Sequence, residues 1–168
     1  MKNLLWLILI GLLFVACSSI DCPVQNSVNT VWLVYNDDEE PDTLKDTLSI
    51  FTTRRDGSDT VLVNCDTNVD SLKLPVSYND PEDTLYFFIW GTQMTTDSVY
   101  YAVYSLDTVY IAKDNTPHFE SVDCAISYFH TITDLRYTTN RIKRIDIQKT
   151  AVNYDASTEH FRIHFNEE

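Results

Sequence analysis

The chain has 168 residues, 25 of them acidic and 12 basic, for a net charge of −13 with the histidines neutral. That balance excludes a nucleic-acid binder, whose affinity comes from neutralising phosphates with Lys and Arg. It also sets the chain against anionic lipid surfaces, so any hold on a membrane has to come from something other than charge.

Met1-Lys2-Asn3 is a short positive start, and an apolar run follows from Leu4 to Ala16. The run is too short to span a bilayer, which takes ~20 apolar residues, but it has the length of a signal-peptide core. Phe14-Val15-Ala16-Cys17 then resembles a lipobox, in which a small residue precedes a cysteine that takes diacylglycerol before cleavage; Phe14 stands where Leu is usual. Residues 1–16 therefore read as a lipoprotein signal peptide, Cys17 as the lipidated residue, 17–27 as a tether and 28–168 as one domain. The expected location is the cell envelope, with the outer membrane as partner through the lipid, since each buried CH₂ contributes ~0.8 kcal/mol. Cleavage removes Lys2 and leaves 152 residues with 25 acidic against 11 basic groups, a net of −14.

Cys22, Cys65 and Cys124 remain. An oxidising compartment implies one disulfide and one thiol, and three pairings are open. Cys22–Cys124 is favoured, because Cys22 sits where the tether must be fastened to the domain. Cys65 follows the apolar Val61-Leu62-Val63 and reads as a buried free thiol.

From residue 28 onward, short apolar or alternating runs are divided by Asn, Asp, Pro and Ser clusters, which is strand-and-turn punctuation. Strands are predicted at 28–35, 47–53, 60–64, 71–76, 84–90, 99–104, 108–112, 119–122, 125–132, 141–147 and 161–165. No long window keeps a helical period. The fold class is all-β: a single antiparallel β-sandwich, with a closed barrel as the alternative. Only three glycines are present, one of them in the signal. The turns therefore rest on Asp and Asn, as in Arg55-Asp56-Gly57-Ser58 and the acidic stretch 37–42.

Three further segments carry a resemblance: Pro117-His118-Phe119-Glu120-Ser121-Val122-Asp123-Cys124, Phe129-His130-Thr131-Ile132-Thr133 and Tyr154-Asp155-Ala156-Ser157-Thr158-Glu159-His160-Phe161. With Pro81-Glu82-Asp83-Thr84-Leu85, they are similar to motifs of a Bacteroidetes lipoprotein family known only as a domain of unknown function. The resemblance implies export, lipid anchoring and a single domain; it implies no activity and supplies no catalytic residue.

The residues themselves offer little chemistry. Asp66-Thr67-Asn68-Val69-Asp70 opens like an EF-hand, but Ser71 stands where Gly is needed and Ser77 where a bidentate Glu belongs. His160 and His164 are expected on one exposed strand face with Arg162 between them, a poor zinc site, while Phe161, Ile163 and Phe165 take the other face. No metal and no cofactor are expected. There is no Gly-x-Ser-x-Gly elbow and no phosphate loop, so the chain does not read as an enzyme. Asp-Thr or Asp-Ser before Leu or Val recurs at Thr43, Thr47, Thr60, Ser71, Thr84, Ser98 and Thr108. Strand-start chemistry explains this, with Asp ending a turn and the aliphatic residue pointing inward. The tripeptide also resembles the O-glycosylation sequon of exported Bacteroidetes proteins, with Thr43 and Thr47 as the most accessible candidates.

Alternation supplies the functional expectation. One phase of 84–90 holds Leu85, Phe87 and Ile89, the other Tyr86, Phe88 and Trp90; 99–104 and 108–112 repeat the split. If these strands are neighbours, Tyr86, Trp90, Tyr100, Tyr104 and Tyr110 share one face suited to a partner, protein or glycan. The leading expectation is thus a non-catalytic envelope module. The alternatives are a hydrolase of envelope or extracellular polymers and a structural accessory subunit of an outer-membrane assembly.

Overall fold

A computed structural model describes Cys22, residues 28–94, Thr96 and residues 98–166. Residues 1–16, expected as a signal peptide, and the expected tether apart from Cys22, with Cys17 in it, lie outside the described residues. Ten strands form: β1 Asn29–Tyr35, β2 Thr47–Thr53, β3 Asp59–Asp66, β4 Ser71–Pro75, β5 Glu82–Met94, β6 Tyr100–His118, β7 Ser127–Tyr137, β8 Ile142–Ile147, β9 Ala151–Val152 and β10 Phe161–Phe165. They build two sheets, ordered β4-β1-β10-β8 and β3-β2-β5-β6-β7-β9, and neither closes into a barrel. All pairs are antiparallel except β1 with β10, which run parallel from Trp32↔Phe161 to Tyr35↔His164. A parallel pair needs a long crossover, and here nearly the whole domain lies between its two strands.

The core lies between the sheets. Trp32 of the four-stranded sheet is fully buried, with its ring centroid 4.1 Å from that of Phe161 and 5.9 Å from that of Phe87 across the sandwich. Its indole N–H donates to Thr30 Oγ1 at 2.9 Å, and that hydroxyl donates to the Leu74 carbonyl at 3.1 Å. The large ring is therefore buried without an orphaned donor.

Strand-start chemistry accounts for much of the recurring tripeptide. Thr47 and Ser71 open β2 and β4, and Asp59-Thr60 opens β3. Leu44, Leu48, Leu72, Leu85 and Val109 are buried as expected, whereas Val61 and Val99 are exposed.

The segments expected as separate strands at 99–104 and 108–112 are one strand of 19 residues. Asp107 misleads the reading, since it has the composition of a turn but points inward and is fully buried. Its carboxylate accepts from the backbone amides of Asn140, Arg141 and Ile142 at 2.7–2.8 Å and from Thr138 Oγ1 at 2.7 Å. It thereby ties the β7–β8 turn to the middle of β6. Residues 119–122 are loop, not strand, and β9 is a two-residue strand paired to β7 that the pattern did not announce.

Cys22 and Cys124 are joined, with Cα atoms 5.4 Å apart. Cys65 is free and exposed, contrary to the expectation of burial. The β2–β3 register shifts on either side of Ile50, and Cys65 sits at φ 52°, so the alternation that would have turned it inward is broken there.

Candidate functional site

The outer face of the six-stranded sheet follows from register. In β5, Leu85, Phe87 and Ile89 are buried, so Tyr86, Phe88 and Trp90 point outward. Pairing with β6 runs without a shift from Glu82↔Ala112 to Met94↔Tyr100. It sets Tyr104 beside Trp90, Leu106 beside Phe88, Thr108 beside Tyr86 and Tyr110 beside Thr84. On the other side, β2 sets Thr47, Ser49 and Phe51 beside Trp90, Phe88 and Tyr86. All five residues expected to form a binding face therefore lie on one face, and none is buried.

They are not equivalent. Tyr100 and Tyr104 are exposed, at 71% and 64%, whereas Tyr86, Trp90 and Tyr110 are half-buried. Phe88 is the hub, 5.3 Å from Trp90 and 6.1 Å from Tyr104 between ring centroids, and Phe51 stacks on Tyr86 at 5.2 Å. Tyr100 stands apart at the tip of the β5–β6 hairpin. Tyr110 is ~20 Å along β6 from Tyr104 and lies under the Arg136 guanidinium, 4.9 Å from the ring centroid. Phe51 and Phe88 were missing from the expected set, although alternation around Leu48 and Ile50 already turns Phe51 outward.

The central positions of this face, on β2, β5 and β6, carry no charge. In a chain with 22% charged residues, the outward positions Thr47, Ser49, Phe51, Thr84, Tyr86, Phe88, Trp90, Thr92, Met94, Tyr100, Ala102, Tyr104, Leu106, Thr108 and Tyr110 carry none. Charge flanks them on both sides, with Asp59 on β3 and Glu82, Asp114, Asp134 and Arg136 beyond Tyr110, where Arg136 pairs with Glu82 at 2.6 Å. Aromatic enrichment with charge kept to the rim is the composition of a contact surface.

Behind the hairpin an open cleft of about 620 Å³ is walled by Gln93, Val103, Ser105, Asn140, Arg141 and Asn166, with Trp90 and Tyr104 at its margin. Arg141 is held there by Asp46 at 2.7 Å. A second cleft, of about 330 Å³, includes Asp37, Asp42 and Asp46. Asp37 accepts a hydrogen bond from Lys143 at 2.5 Å, and that bond, with the lysine's charge, holds its pKa below the usual range. Asp37 and Asp46, each tied to a cation, are poorly placed for acid–base work.

The histidines differ from expectation. His160 and His164 are both buried, as are Phe161 and Ile163: the latter two face the core, while His160 lies against Val31 and Ala151 and His164 beside Tyr35, Asn36 and Arg144. His160 Nδ1 accepts from the Val31 amide at 3.0 Å and Nε2 donates to the Ala151 carbonyl at 3.2 Å, so the ring is neutral; burial lowers its pKa. His164 Nδ1 donates to the Asn36 carbonyl at 2.9 Å, leaving Nε2 to accept from Arg144 at 3.0 Å. Glu39, Asp146 and His164 bring ligand-type atoms within 4.8 Å of one another. Arg144 occupies their centre, paired with Asp146 at 2.8 Å and with Glu39. The chain's own guanidinium is the cation of that cluster.

Of the seven sequon hydroxyls, those of Ser71 and Ser98 belong to exposed residues, while Thr43, Thr47, Thr84 and Thr108 are half-buried. Thr60 Oγ1 is buried without a partner and out of reach of a modifying enzyme. Thr43 and Thr47 are thus not the most accessible of the set.

These features define a two-sheet all-β domain with an uncharged aromatic patch at the centre of one outer face. Residues 47–165 match a family of unknown function, DUF6452. The match covers well over half of the chain, and the chain belongs to that family. No curated protein and no solved structure matches it.

Proposed function

We propose that this chain is a lipid-anchored, non-catalytic binding module of a Bacteroidetes cell envelope, exported by residues 1–16 and held by lipid on Cys17. Its contact surface is the outer face of the six-stranded sheet, and its partner is an envelope protein or glycan. The observation that carries this reading is the uncharged aromatic patch at the centre of that face, on a chain otherwise crowded with charge. A partner seated there has to be uncharged where it touches, because burying an unpaired charge against Phe88 and Trp90 would cost several kcal/mol.

The test is recovery of partners from native membranes with the acylated protein. Tyr100→Ala and Tyr104→Ala together remove two exposed rings, so the thermal midpoint should stay within a degree or two while recovery falls at least thirtyfold, the loss expected of hot-spot residues worth ~2 kcal/mol or more. Trp90→Ala is a poorer probe because its ring also packs on Phe88. Unchanged recovery with the double variant would remove this face from consideration.

A further inference from the structure

We infer that the β6–β7 loop, residues 119–126, is a lipid-contacting surface that seats the domain upright on the bilayer. The inference rests on the proposed lipidation of Cys17. Within this loop Phe119, Val122 and Ile126 are 63%, 86% and 50% exposed. Three apolar side chains offered to water by one short loop form a patch that calls for a partner.

The chain's own connectivity identifies that partner. Cys124 lies in the same loop and is bonded to Cys22. Cys17 is five residues from Cys22, a span of at most ~18 Å when fully extended. The disulfide thus fastens the acyl chains and the apolar loop to the same end of the molecule. β6 leaves this loop and runs 19 residues to Tyr100, a rise of ~60 Å. The exposed Tyr100 and Tyr104 therefore stand at the end remote from the membrane.

The charges in the loop fit a neutral bilayer surface. Glu120 is drawn back by His118 at 2.9 Å, and the Asp123 amide donates to Ser121 Oγ at 3.3 Å within a tight turn that leaves Val122 at the apex. Two carboxylates beside the apex oppose anionic headgroups, so contact weakens as anionic lipid is added.

The test uses the acylated protein carrying Val122→Trp, reconstituted in phosphatidylcholine vesicles with brominated acyl chains, with wild-type emission subtracted. The added indole should lose more than half of its emission, and 30% anionic lipid should restore part of it. Tyr100→Trp, at the far end, should lose almost none. Phe119→Trp serves as a second probe if Val122→Trp folds poorly. Intact mass on the same sample separates the two ideas. A protein that carries acyl chains but shows no quenching at either loop position, or equal quenching at Tyr100, overturns the seating while leaving the anchor intact. A mass without acyl chains overturns the anchor and with it this inference.

Discussion

Acidification should loosen this domain through His130. His130 is 3% exposed, and its Nδ1 donates to Asn115 Oδ1 at 2.7 Å. That direction follows from Asn115, whose Nδ2 already donates to the Tyr78 and Asp80 carbonyls. Beside it the buried Lys113 pairs with Asp83 at 2.9 Å and donates to the Asp80 carbonyl at 3.0 Å. Burial, then the positive Lys113, pushes the His130 pKa down to about 4. The folded value lies below the unfolded one of ~6.5, so the unfolded chain takes the proton first. His130 therefore leaves stability whole above pH ~6.5 and erodes it as pH falls toward 4, with no further loss below that. Between pH 7 and 5 the unscreened loss is ~2 kcal/mol, and allowing for solvent screening leaves ~1 kcal/mol. For a domain of this size that is a fall of ~2–4 °C in Tm. Burial raises the Asp83 pKa, which Lys113 partly offsets. Protonating Asp83 would relieve a buried charge, so it cannot produce the same downward slope. His160, whose pKa is also lowered, adds a smaller slope of the same sign. Thermal melts across pH 5–7.5 of the wild type and His130→Gln test this: the variant should lose at least half of the pH dependence. An identical slope in the two proteins would refute the reasoning.

Other consequences are as direct. A Cβ on Gly91 would fall 2.3 Å from Asp46 Oδ1, a group held by Arg141 at 2.7 Å; Gly91→Ala should cost ~1–3 kcal/mol, and much less in an Asp46→Ala background, so equal costs in a double-mutant cycle of urea melts would count against the clash. Reducing Cys22–Cys124, which bridges a sequence separation of 102, should lower the urea midpoint, with a chain-entropy ceiling of ~4–5 kcal/mol; an unmoved midpoint would show the bridge thermodynamically idle. If the tripeptides are glycosylated, peptide mapping of the native protein should find Ser71 or Ser98 occupied and Thr60 bare, and a native mass equal to polypeptide plus lipid would leave strand-start chemistry as their whole explanation.

Period and punctuation were enough to specify the class of fold and the inner and outer phases of the central strands. Alternation depends only on neighbouring residues, which is why Thr47–Thr53 and Phe161–Phe165 match their predicted bounds and why Tyr86 and Trp90 share one phase of β5, and Tyr100, Tyr104 and Tyr110 one phase of β6. The Cys22–Cys124 bridge is the pairing favoured from the sequence. Everything that depends on which strands become neighbours was decided in three dimensions. Asp107 looks like a turn until the β7–β8 loop brings three amides to its carboxylate. His160 and His164 look exposed until Val31 and Ala151 close on the first ring and Tyr35, Asn36 and Arg144 on the second. Cys65 looks buried until a shift in register turns it out, and Phe119, Val122 and Ile126 look like strand residues but lie in the exposed β6–β7 loop. Local sequence encodes the direction of a side chain along its own strand, but burial is a property of what packs against it, and those partners lie tens of residues away.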